Sequence, residues 1–109
     1  MTNSVKTDRE LLELAAKATQ DSNIRKSGDV FIVAGIGGGV TYWNPLASDG
    51  DALRLAVKLN MDMLITDEWT KIKTSGRHWV QYEGAGLSSI EITRRAIVRA
   101  AAEIGRAGI

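Results

Sequence analysis

The sequence predicts an α+β domain, an α/β/α three-layer sandwich in which three amphipathic helices cover a small, mostly antiparallel or mixed sheet. Three observations carry this. Capping sequences announce helices over about residues 8–19, 50–59 and 89–104. Between them lie short β-branched runs punctuated by glycine, proline and asparagine, the composition of strands and turns. Helices with one apolar face need a surface to bury it on, and the layered solution is a sheet covered by helices.

The first helix opens at Thr7-Asp8-Arg9-Glu10. This is a capping box, in which the Thr7 hydroxyl accepts from the Glu10 amide while Glu10 reaches back to the Thr7 amide. Leu11, Leu14, Ala15 and Ala18 then recur at helical spacing. Thr19 to Gly28 is polar and reads as a turn-rich connection. Val30-Phe31-Ile32-Val33-Ala34 is a strand, and Val40 to Trp43 is a second, which makes the glycine-rich stretch between them a hairpin turn. Asn44-Pro45 stops that strand.

Ser48 or Asp49 caps the second helix, whose apolar stripe reads as Leu53, Ala56, Val57 and Leu59, with Asn60 at its end. Met61 to Thr66 and His78 to Glu83 read as strands, with Asp67 to Arg77 as the connector, in which Thr70 to Lys73 extends one strand and Ser75-Gly76 supplies a turn. The last helix opens with a second capping box, Ser88-Ser89-Ile90-Glu91, and carries Ile90, Ile97, Ala101 and Ile104 on one face. Residues 1–6 read as a disordered tail and 105–109 as a frayed end. No internal repeat and no interdomain linker stands out, so the 109 residues form a single domain.

Composition narrows the function classes. The absence of cysteine excludes a disulfide scaffold, a cysteine nucleophile and a thiolate metal site. Met1 to Asp8 has no apolar core of a secretory leader, and no apolar run is long enough to span a bilayer, so neither export nor a membrane is expected. A formal net charge of +1 supplies no overall pull toward nucleic acid.

Three stretches carry a resemblance. They are Thr7 to Ala18, Trp43 to Leu59 (WNPLASDGDALRLAVKL) and Thr93 to Gly105 (TRRAIVRAAAEIG). In this order they resemble the phage ABA sandwich domain family, uncharacterised proteins of bacteriophages and prophages. The resemblance implies an α/β/α sandwich expressed in the cytoplasm of a bacterial host. It implies no activity, and the segments 35–40 and 67–77 match none of it.

The residues suggest few sites. Gly35-x-Gly37-x-Gly39 follows a strand, yet Val40 takes the third-glycine position and Pro45 blocks the helix that a dinucleotide site requires, so no cofactor is expected. The Trp43-to-Arg54 corner is the densest segment. Trp43, Asn44, Asp49, Asp51 and Arg54, with Arg94 from the last helix, are the candidate ligand- or partner-binding residues. The competing reading makes them a structural corner, with Arg94 pairing to Asp49 or Asp51 across the domain. Two carboxylates so close in sequence are too thin a ligand set for a metal.

Arg95 and Arg99 form a candidate basic face, and nucleic acid on that helix is the alternative to a protein or small-ligand partner. His78 is the single histidine, with no triad or metal spacing around it. A small nucleotide- or metabolite-directed enzyme using Asp49, Asp51 and His78 ranks last, and no catalytic residue is assigned. Trp69, Trp79 and Tyr82 read either as an exposed patch or as the closure of the core. The resulting expectation is an accessory binding domain. Homodimerisation through a sheet edge or an aromatic patch is compatible with it.

Overall fold

A computed structural model describes residues 7–34, 38–74, 79–84 and 86–107. Among the described residues three helices and six strands follow one another as α1 (Asp8–Thr19), β1 (Ile24–Ser27), β2 (Val30–Ala34), β3 (Val40–Tyr42), α2 (Asp49–Lys58), β4 (Asp62–Ile65), β5 (Trp69–Lys73), β6 (Val80–Glu83) and α3 (Ser89–Arg106). The fold is α+β. Its strands divide into two antiparallel three-stranded sheets, β1-β2-β3 and β4-β5-β6, each joined by consecutive connections.

Both capping boxes are closed. The Thr7 and Ser88 hydroxyls accept from the amides of Glu10 and Glu91, whose carboxylates accept from the cap amides in return. Ser48 caps α2 by accepting from the Asp51 amide. The segment 19–28, expected to be a turn, contains β1. Its Arg25, Lys26 and Ser27 are solvent-exposed, so this edge strand lacks the apolar alternation that would mark it. Ile24 pairs with Val33, and Lys26 lies on the helix side of the sheet, reaching Glu13 of α1 at 3.6 Å.

One unit occurs twice: a capped helix, a left-handed non-glycine residue just beyond it, and a three-stranded meander. The left-handed residues are Gln20 (φ 56°) and Asn60 (φ 53°). Aligned on the caps Thr7 and Ser48, the helices match at Asp8 with Asp49, Leu12 with Leu53, Leu14 with Leu55, Ala15 with Ala56 and Lys17 with Lys58. Helix α3 shares the capped start, at Ser88, but ends at Ala107 in a right-handed conformation and is not a further copy of the unit.

Helix α3 is the centre of the molecule. It packs against α1, α2, β5 and β6, and Ile92, Ala96, Ile97, Val98, Ala100, Ala101 and Ala102 are all buried. Small side chains let the helices approach closely. At Gly105 the approach is so tight that a Cβ would lie 2.0 Å from the Leu14 carbonyl oxygen. The helix therefore does not fray at Gly105 as expected; it continues to Arg106, with Gly105 buried against α1. On the sheet side, Thr70 of β5 is wholly buried and its hydroxyl meets that of Thr93 at 3.0 Å. This satisfies both polar groups where an unpaired hydroxyl would be costly.

The second helix also buries a different stripe from the one its sequence suggests. Ala52, Leu55 and Ala56 face the core, whereas Leu53 and Val57 point to solvent. No helix among the described residues is long and apolar enough to cross a membrane.

Candidate functional site

The corner between β3 and α2 is built from mutual hydrogen bonds. Trp43 is buried edge-on against Phe31, with ring centroids 6.0 Å apart, and its amide donates to the Phe31 carbonyl. The Asn44 carbonyl accepts from the amides of Ala47 and Ser48, and its side-chain oxygen accepts from the Leu46 amide at 3.0 Å. Pro45 is fully buried. The chain is thereby turned tightly into α2.

Asp51 closes the corner from within the helix. One carboxylate oxygen accepts the Asn44 amide at 2.9 Å and the other accepts Arg54 at 2.7 Å. Asp49 reaches the opposite way, to Arg94 of α3 at 2.6 Å. Arg94 also donates through Nε to the Leu46 carbonyl at 2.8 Å, so one guanidinium holds both the turn and the helix start. Of the two pairings open to Arg94 from sequence, the structure has the one with Asp49.

All six candidate residues of the corner are brought together, and each has a protein partner there. The two aspartates use their oxygens on different partners and do not converge. No cluster of metal-binding side chains exists among the described residues.

The arginines of the presumed basic face are likewise engaged. Arg95 pairs with Asp8 of α1 at 2.8 Å, and the Arg99 guanidinium lies 5.9 Å over the Tyr82 ring. Tyr82 points toward α3, and its phenol is pushed up to about 12, first by burial and then by the Glu103 carboxylate, with Arg99 opposing. Trp69 and Trp79 lie on the other face of that sheet, where Lys71 and Lys73 sit 5.2 and 5.6 Å over their rings. The three aromatics therefore do not form one patch. His78 and Gly35 to Gly37 lie outside the described residues.

Three of the concavities among the described residues bear on these elements. One, of about 230 Å³, has Trp43 and Leu55 in its lining and Asp51, Arg54 and Lys58 around it. Another, of about 310 Å³, lies between Ile72, Val80 and Tyr82 of the second sheet and the last turns of α3.

The third is an open groove of about 270 Å³ between α2, β4 and the start of α3. Its wall is aliphatic: Leu53, Met63, Ile65, Ile90 and Ile97, with Asp49 and Arg94 at one margin. Leu53, Ile65 and Ile90 are 58, 51 and 55% exposed, large values for aliphatic side chains. Val57, 67% exposed, lies one turn beyond Leu53 on the same side of α2. The sequence holds a signal for this groove in Leu53, Val57 and Ile90, which helical periodicity alone places on the apolar stripes of α2 and α3. Only the packing of the helices reveals that they stay exposed.

Compared with protein-family models, curated proteins and solved structures, the chain matches none.

Proposed function

We propose that this chain is a phage- or prophage-encoded accessory binding domain that acts in the bacterial cytoplasm on a protein partner. The surface it uses is the groove between α2, β4 and α3, and the occupant is an extended apolar segment of that partner. The observation that carries this is the exposure of Leu53, Ile65 and Ile90 along one open groove, since contiguous exposed aliphatics mark protein contact sites.

Two further features favour an extended segment. Strand β4 is at the edge of its sheet and among the described residues pairs only with β5, so its other flank offers backbone groups to an added strand. The groove also has few polar groups to orient a small molecule, which a ligand pocket ordinarily needs. The phage assignment rests on the resemblance in Thr7 to Ala18, Trp43 to Leu59 and Thr93 to Gly105.

The test is photocrosslinking in the host cell with a benzophenone amino acid at position 53 and, as control, at Gln81 on the outer face of the second sheet. The reading expects one defined adduct from position 53, absent from position 81 and lost when Ile65→Glu is added. No adduct at 53, or the same adducts at both positions, would refute it.

A further inference from the structure

The two meanders have similar architecture and opposite outer faces. In the second sheet the outward side chains are Asp62, Leu64, Trp69, Lys71, Lys73, Trp79, Gln81 and Glu83, a face that water can solvate, with both indoles covered by lysines. In the first sheet the register places Val30, Ile32 and Ala34 of the central strand on the outer side. Val40 and Tyr42 flank them on β3, and Arg25 and Ser27 on β1. Val40 is 62% and Tyr42 73% exposed. Arg25 is the single charge on this face and makes no ion pair among the described residues.

A bare aliphatic sheet face is covered in most folds by a second layer about 10 Å away. Here no helix of the described chain takes that place, since the buried side of the same sheet (Phe31, with Trp43 beyond β3) already meets the core. We infer that the outer face of β1-β2-β3 packs against the same face of a second copy of this chain, with a two-fold axis running along β2.

Charge selects both the occupant and the axis. Arg25, Ile32 and Tyr42 lie in one row across the three strands, with Arg25 and Tyr42 at its two ends. A two-fold axis parallel to the strands exchanges those ends between the copies. Each Arg25 then lies over the partner copy's tyrosine ring, a favourable cation–π arrangement made twice. An axis perpendicular to the strands would set arginine on arginine. The face is small, about 14 Å across its three strands, so it buries less than the roughly 800 Å² per partner of a standard interface. The dimer is therefore concentration-dependent and exchanges with monomer. This surface is separate from the groove, and either can fail without the other.

Sedimentation velocity of the purified chain over a wide concentration range tests the inference. The wild type should shift from monomer toward dimer as concentration rises. Tyr42→Lys, at a position exposed enough to leave folding unchanged by circular dichroism, should abolish the shift by opposing Arg25. Adding Arg25→Glu to it should restore the shift, because the charges then face each other across the two-fold. A monomer at every concentration, or an association that survives Tyr42→Lys, overturns the inference. Failure of the charge swap to restore dimer overturns the assigned axis.

Discussion

Arg94 of α3 holds Asp49, the first residue of α2, at 2.6 Å, and its neighbour Arg95 holds Asp8, the first residue of α1, at 2.8 Å. The two aspartates occupy the same position in the repeated unit. Consecutive arginines on the central helix thus tie down the starts of both other helices. The corner that looked like a binding site in the sequence is one half of this device.

The two ties should differ in strength. Arg94 is the less exposed and also donates to the Leu46 carbonyl, whereas Arg95 among the described residues makes only the ion pair with Asp8. Arg94→Met is expected to cost about 1.5–3 kcal/mol, the range for hydrogen bonds to charged groups. Arg95→Met should cost under about 1 kcal/mol, as exposed pairs do. Urea unfolding of the two variants checks the order.

Gly105→Ala sets two effects against each other. Alanine is the better helix former by about 1 kcal/mol, but its methyl would collide with the Leu14 carbonyl 2.0 Å away. Overpacking of a tight core costs about 1–3 kcal/mol, and backbone cannot step aside as a side chain can. The variant should be destabilised, with a lower urea midpoint; a higher one would contradict the close approach of α1 and α3.

The Thr70–Thr93 hydroxyl pair predicts non-additivity. Thr70→Val leaves the Thr93 hydroxyl without its partner and should cost about 1–3 kcal/mol, while the double change to valine should recover part of that loss. A double-mutant cycle by thermal unfolding measures it. Strict additivity would mean the two hydroxyls do not interact.

Tyr82 predicts an alkaline limit. Its folded pKa is raised from 10.0 to about 12, so the unfolded chain loses this proton first as pH rises. The stabilising contribution is complete below pH 10.0 and is lost as pH climbs toward about 12. Absorbance of the phenolate should show a late phase in that window, and Tyr82→Phe should remove both the phase and that part of the stability loss.

Helix positions were legible because caps are local chemistry: Thr7, Ser48 and Ser88 need only their own next three residues. Strand β1 was not, since an exposed Arg-Lys-Ser edge has no alternation to read. The choice between Asp49 and Asp51 for Arg94 was open in the sequence because it depends on how α2 crosses α3. The same crossing exposes Leu53 and Val57, apolar residues that periodicity alone assigns to the core. The repeat was written in the matching residues of α1 and α2, but it stands out only once both caps and both meanders are placed.

The Asp49–Arg94 corner is structural, and the proposed function belongs to the Leu53–Ile65–Ile90 groove. The most direct test is partner crosslinking from position 53, compared between Arg94→Met and Ile90→Glu at a temperature where both are fully folded. Retention in Arg94→Met with loss in Ile90→Glu is the predicted result. Loss in Arg94→Met with retention in Ile90→Glu would contradict it and return the function to the corner.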